Sequence, residues 1–207
     1  MRTILCVLVF LAMASPALSG VPSSGTSTLP PRIFIVGWNG TVPDAPAGEF
    51  AITVRDLGGN PVVGSTVMVD FSPITELRIA TSMMDAAAFT NCPHRYVRRA
   101  TDAAGVAKLT VMGRANGLSP QLGELRANIY ADGVLLGSVP VSIFDLDGAG
   151  GMGANDVSLW LGDYGSLQYY GRGDYDGNGR LGANDLSLWI GILGAGGSSL
   201  SVTTVCP

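Results

Sequence analysis

One feature constrains this 207-residue chain more than any other: it contains the same segment twice. Residues 145–162, DLDGAGGMGANDVSLWLG, align without a gap on residues 174–191, DYDGNGRLGANDLSLWIG, with twelve of eighteen positions identical. The shared letters are not mainly apolar, as packing alone would require. They place Asp at positions one, three and twelve of a twelve-residue loop, and Gly at positions four and six. Oxygen-bearing side chains on alternate positions around a sharp turn converge on one point, and convergent carboxylates call for a cation.

In the second loop, Asp174, Asp176 and Asn178 offer side-chain oxygens, Arg180 offers its carbonyl, and Asp185 closes the loop from the start of the helix NDLSLWIGI. Gly179 permits the turn. An all-oxygen set of six or seven ligands on a flexible loop selects Ca²⁺ over Mg²⁺. The first loop keeps Asp145, Asp147, the Gly151 carbonyl and Asp156 but has Ala149 at position five. One ligand is missing there. Water is expected to replace it, and the first site is predicted to be the weaker. Asp-Gly pairs also build ordinary surface turns, an alternative that weighs more on the first loop than on the second.

A duplicated loop that ends in Asp rather than Glu, each copy followed by one short helix, resembles a type I dockerin module over residues 145 to about 193. The resemblance implies Ca²⁺ in both loops and a cohesin domain as partner. It implies contacts through positions ten and eleven, here Ala154 and Asn155, then Ala183 and Asn184. Because the two halves carry the same pair, two docking orientations are implied; family members often carry hydroxyl residues there, which this chain does not. Leu159 and Trp160, with Leu188 and Trp189, are expected to pack the halves together around a pseudo-twofold axis.

Upstream, residues 32–144 change period. Phe50, Ile52 and Val54 alternate with polar or small residues, as do Val67, Val69 and Phe71, then Ala107, Leu109 and Val111, then Leu125, Ala127, Ile129 and Ala131, then Val139, Val141 and Ile143. That is the pattern of strands with one buried face. Asp132-Gly133 joins the last two as a tight hairpin. The expected fold class is mainly β with a small α module: an immunoglobulin-like β-sandwich followed by the pair of loop-helix motifs. The runs AITVRDLGGNPVVGSTVMVDFS and TDAAGVAKLTVMG are similar to bacterial immunoglobulin-like domains of the invasin or intimin type. Leu77 to Arg99 reads as a long loop or an elaborated edge. Residues 21–31, rich in Ser, Pro and Gly, read as a flexible lead-in, and 196–207 as a tail.

Residues 1–20 carry Arg2, an apolar run and small residues near Ser19, the pattern of a secretory signal peptide. The run is too short to span a bilayer. Secretion would place Cys92 and Cys206 where a disulfide persists, although sequence leaves open whether they meet. Between residues 145 and 185 lie seven Asp and only two Arg, a net −5 that disfavours nucleic acid. His94, beside Arg95, Arg98 and Arg99, reads as part of a solvated strand face. No nucleophile elbow, zinc spacing or phosphate loop appears, so the expectation is a non-enzyme. The expected function is calcium-dependent attachment or assembly outside the cell. A structural spacer or adhesin, and an accessory protein that binds or degrades polysaccharide, are the alternatives.

Overall fold

The computed structural model describes residues 20–39, 42–117 and 120–207, so nearly all of the expected signal peptide lies outside the described residues. The chain is mainly β. In order it forms β1 (Ile33–Val36), β2 (Trp38–Asn39), β3 (Val42–Pro43), α1 (Ala45–Gly48), β4 (Glu49–Thr53), β5 (Thr66–Asp70), β6 (Leu77–Ile79), β7 (Ala88–Asn91) and β8 (Tyr96–Ala100). There follow β9 (Val106–Ala115), β10 (Arg126–Ala131), β11 (Val134–Ile143), α2 (Ala154–Gly165), a short 3-10 turn at Gly171–Gly173 and α3 (Ala183–Gly194). No helix among the described residues is long and apolar enough to cross a membrane.

The alternating runs become strands because every second side chain has a core to enter. Phe50 and Ile52 of β4, Val67 and Val69 of β5, and Ala127 and Ile129 of β10 all point inward. Nine strands form one curled sheet in the order β4-β9-β1-β11-β10-β5-β8-β7, with β6 also pairing β9. β1 joins the two wings: it runs parallel to β11, with Ile35 opposite Ile143, and parallel to β9, with Ile35 opposite Val111. Bonded on both sides, Ile33, Ile35 and Val36 are wholly buried, as a central parallel strand should be. Asp132 and Gly133 turn the β10-β11 hairpin with φ of 47° and 84°.

Residues 77–99 form an elaborated edge. β7 and β8 make a hairpin added to β5, with β7 outermost. Residues 21–31, expected to be flexible, instead run along β4 and its extension. Pro22 bridges Asp56 and Thr28 bridges Thr53, while Thr26 Oγ1 donates to the Asp56 carbonyl at 2.7 Å. The open edge of β4 supplies the partners that a Ser- and Pro-rich segment cannot supply to itself.

The tail is equally ordered. Trp38 N–H donates to the Leu200 carbonyl at 2.9 Å, Cys206 N–H donates to the Ile79 carbonyl at 2.8 Å, and Cys206 is bonded to Cys92 with a Cα–Cα distance of 4.9 Å. A closed loop of 114 residues lowers the unfolded chain's entropy by the equivalent of ~4–5 kcal/mol in the chain-entropy account.

The repeats do not form a detached globule. Leu146, Trp160, Tyr175 and Trp189 belong to the same buried cluster as the sheet. Phe144 stacks between Phe34 and Tyr175, with ring centroids 5.5 and 5.3 Å away.

Candidate metal centres

β11 delivers the first loop directly: the strand ends at Ile143, Phe144 anchors it in the core, and Asp145 follows. The second loop follows the 3-10 turn that packs against β11, where Ser142 Oγ donates to the Asp174 carbonyl at 2.7 Å. Each loop then enters a helix whose third residue is its twelfth-position aspartate. Asp156 accepts from Gly153 N–H at 2.7 Å and Asp185 from Gly182 N–H at 2.8 Å. These are helix N-caps made from inside, and they favour a carboxylate at the positive end of the helix dipole.

The same two aspartates reach across to the start of their loops. Asp156 Oδ1 accepts from Leu146 and Asp147 N–H at 2.6 and 2.9 Å; Asp185 Oδ1 accepts from Tyr175 and Asp176 N–H at 2.7 and 2.9 Å. The spacing read from sequence is thereby realised in space. Asp145, Asp147 and Asp156 bring carboxylate oxygens within 4.8 Å of one another, as do Asp174, Asp176 and Asp185. Gly150 and Gly179, at position six, take φ of 75° and 80°, which only glycine adopts without strain.

Three carboxylates so close resist carrying charge together. Burial raises the Asp156 carboxyl to about 6, with the Asp145 charge adding to the effect and three backbone amides opposing it. Burial likewise raises Asp145 and Asp185. A divalent cation at either cluster would reverse that cost, and its partners would all be oxygen. These clusters are therefore sites that can hold a metal.

The two first-position aspartates are treated differently. Asp174, wholly buried, accepts at Oδ1 from Gly177 N–H and at Oδ2 from Gly179 N–H (3.0 Å), Tyr169 OH (2.7 Å) and the Arg32 guanidinium (3.4 Å). Asp145 accepts at Oδ1 from Gly148 N–H at 2.7 Å, and no guanidinium or phenol bonds to it. Each loop still receives one arginine, from the residue before β1 or from β9. Arg32 lies against Gly177, whereas Arg114 of β9 donates to the Gly148 carbonyl.

Of the other expected ligands, Asn178 is exposed; its Oδ1 accepts from Arg180 N–H at 2.9 Å and its Nδ2 donates to Asp176 Oδ2 at 2.8 Å. At position seven the loops diverge. Gly151 has φ 77°, a region Arg180 does not enter, and a side chain there would strike Ser198, Ser199 and Leu200 of the tail at 2.6–2.7 Å. The two position-seven carbonyls are consequently not presented alike.

The tryptophans join the halves reciprocally. Trp160 Nε1–H donates to the Gly173 carbonyl at 3.0 Å and Trp189 Nε1–H to the Phe144 carbonyl at 3.1 Å. Each helix thus grips the residue immediately before the other copy's first aspartate.

Ala154, Asn155, Ala183 and Asn184 are exposed at the starts of α2 and α3. Leu159 and Leu188, 38% and 46% exposed, lie outside the core that their tryptophan neighbours enter. The basic residues of 94–99 are engaged locally: His94 stacks on Tyr96, Arg98 covers Phe89, Arg99 pairs with Asp85, and Arg95 donates to the carbonyls of Phe71, Ile74 and Leu77.

Sequence reasoning missed a buried ionic group. Arg172 binds both oxygens of Asp163, at 2.7 and 3.0 Å, and reaches Glu76 at 3.3 Å, clamping the inter-repeat segment to the sheet. No spacing rule connects residues so far apart. Comparison with protein-family models, curated proteins and solved structures gives no match to this chain.

Proposed function

We propose that this is a secreted, non-enzymatic Ca²⁺-binding protein, in which an immunoglobulin-like sandwich carries a fused dockerin-like pair of calcium loops. The duplicated helix starts are its attachment surface, and the expected partner is a cohesin-type domain. The observation that carries the reading is the geometry of the two loops: each gathers three carboxylates within 4.8 Å, and burial pushes Asp145, Asp156 and Asp185 toward their neutral forms. Hard, convergent oxygens on loops of this length suit Ca²⁺. In support of the sandwich, the wing β4-β9 and the wing β11-β10-β5-β8-β7 enclose one core. The Cys92–Cys206 bridge supports an oxidising compartment.

Calorimetric titration of the folded chain with Ca²⁺ tests the reading. Two ions are expected, and each, at 100 times its Kd, adds ~2.7 kcal/mol to stability. Heat absent from the titration, together with unfolding that ignores chelator, removes the proposal.

A second reading is favoured by the way the repeats share the sheet's core: Ca²⁺ would then serve only to rigidify a spacer. Substituting Asn155 and Asn184 with Asp separates the two. Under the attachment reading a calcium-dependent partner is lost while calcium binding is kept; under the spacer reading there is no such partner to lose.

A further inference from the structure

The two loops differ at position seven in what grips the backbone there. The Gly151 carbonyl, expected to face the ion, shares a peptide plane with Met152 N–H, and that N–H donates to the Ser198 carbonyl of the tail at 3.0 Å. In a planar trans peptide the C=O and N–H point opposite ways, so the tail bond turns the Gly151 carbonyl away from the tail. The Gly151 oxygen and Asp156 Oδ2 flank one point, lying 3.8 and 3.9 Å from where a Cβ on Gly153 would stand. Residues 198–200 lie directly on Gly151, whose own Cβ would meet backbone atoms of Ser198, Ser199 and Leu200 at 2.6–2.7 Å. The second loop has no such strap. Arg180 N–H donates to Asn178 Oδ1 within that loop, and no tail residue among those described bonds to residues 174–185.

The tail keeps its place because it is held along its length. Ser198 Oγ donates to the buried Asp44 at 3.0 Å and accepts from Gly37 N–H at 3.1 Å. Leu200 exchanges backbone hydrogen bonds with Trp38, at 2.9 and 3.3 Å. Near the end, Cys206 is bonded to Cys92, the residue after β7. Only the last of these holds is covalent. Ser198 itself sits at φ 47°, a left-handed backbone that a residue other than glycine keeps only while its surroundings hold it there. Without the sulfur bond the segment becomes a chain end held by backbone hydrogen bonds, each of small net worth. Once it frays, residue 198 relaxes and its carbonyl leaves Met152.

We propose that the tail is a strap on the first calcium site, locked by the Cys92–Cys206 bond, and that reducing this bond weakens calcium binding in the first loop alone. The inference rests on the calcium reading of the loops. The reductant is a dithiol. One of its thiolates attacks the sulfur of Cys92, which is half-buried where Cys206 is only 1% exposed. The S–S bond breaks, and Cys206 leaves as a thiolate and takes up a proton. The second thiol of the reductant then attacks the mixed disulfide and expels Cys92, which is protonated in turn, so the protein gains two thiols and the reductant becomes a disulfide. The oxidation state of one bond thereby sets the affinity of one of two duplicated sites.

The test titrates the full folded chain with Ca²⁺ alone, oxidised and after treatment with a small dithiol, in two backgrounds. Asp176→Ala leaves the first loop as the working site, and Asp147→Ala leaves the second. With the first loop working, reduction is expected to weaken the ion about tenfold or more, the scale on which contacts that orient a metal ligand act. With the second loop working, the affinity stays within about twofold, as for sites that share no partner, and this also shows that the reduced chain is folded. Cys206→Ser reproduces the loss in the first loop without reductant. A first loop that binds equally well in both oxidation states overturns the proposal and leaves the calcium reading standing. Equal losses in the two loops overturn it as well, because the bond then supports the whole fold rather than one site. A parent chain that takes up no Ca²⁺ overturns both readings.

Discussion

The two loops share their aspartates and differ in what surrounds the first of them. In the second loop, Arg32 and Tyr169 reach Asp174 and saturate it, so the carboxylate is a structural acceptor before any ion arrives. In the first, Arg114 stops at the Gly148 carbonyl, and no guanidinium or phenol bonds to Asp145. Identical letters therefore meet different surroundings: Asp174 is saturated by donors from the fold, whereas Asp145 accepts from fewer. Ligand letters counted along the loop rank the second site higher, but the surrounding sheet changes the terms of that ranking.

The largest expected effect comes from removing each first-position aspartate in the presence of chelator. Asp174→Ala strands a buried guanidinium and a phenol, and should cost about 3–5 kcal/mol. Asp145→Ala removes a carboxylate that accepts from the Gly148 amide and the Ser201 hydroxyl but from no guanidinium, and should cost about 1 kcal/mol. For a chain of this size the difference corresponds to roughly 4–16 °C in Tm. Equal losses in thermal unfolding would mean that the Arg32 contact contributes nothing and that the two loops are alike after all.

The next effect depends on pH. Asp156 has a folded-state pKa of about 6, above the ordinary aspartate value that the unfolded chain retains. Between about pH 4 and pH 6 the native state therefore holds a proton that the unfolded state has released, and stability falls as pH rises through that window. Two pKa units correspond to at most ~3 kcal/mol. Urea midpoints measured in chelator at pH 4.5 and pH 7 should show the fall in the parent and a smaller one in Asp156→Asn, where Asp145 and Asp185, also raised by burial, still contribute. Saturating Ca²⁺, which needs the ionised carboxylate, should suppress the fall. A parent and variant with the same pH profile would refute the assignment of that proton.

The smallest effect examines the symmetry itself. Trp160→Phe and Trp189→Phe each delete one buried hydrogen bond to the carbonyl before the other loop, worth about 1 kcal/mol. Matching losses would confirm reciprocal bracing. A clear inequality would show that one half leans on the other.

Much of this was legible in the chain. Period-two alternation marked the strands because each has one face in the core, and Asp132-Gly133 marked its hairpin because both residues tolerate positive φ. The aspartate spacing marked both clusters because the loops are local. What could not be read was non-local. β1 pairs in parallel with strands more than seventy residues away, and nothing in IFIV names them. Arg32, Arg114 and Arg172 look like any surface arginine until the fold sets them against Asp174, Gly148 and Asp163. Residues 198–204, SSLSVTT, read only as a tail; the Trp38 pairing and the disulfide give them an address. Residues 21–31 were misjudged for the same reason, since their order comes from β4 rather than from their own composition.

The Cys92–Cys206 bond also decides how the molecule bears tension. A pull applied before residue 92 and after residue 206 is carried across the sulfurs, and the 113 residues between them are bypassed once the slack is taken up. Both loops, both of their helices and the tail crossing lie inside that shielded span. A tether that stretches this protein end to end would strain β1, β4 and β5 first, and would reach the aspartate clusters only through non-covalent contacts such as Arg32 with Asp174.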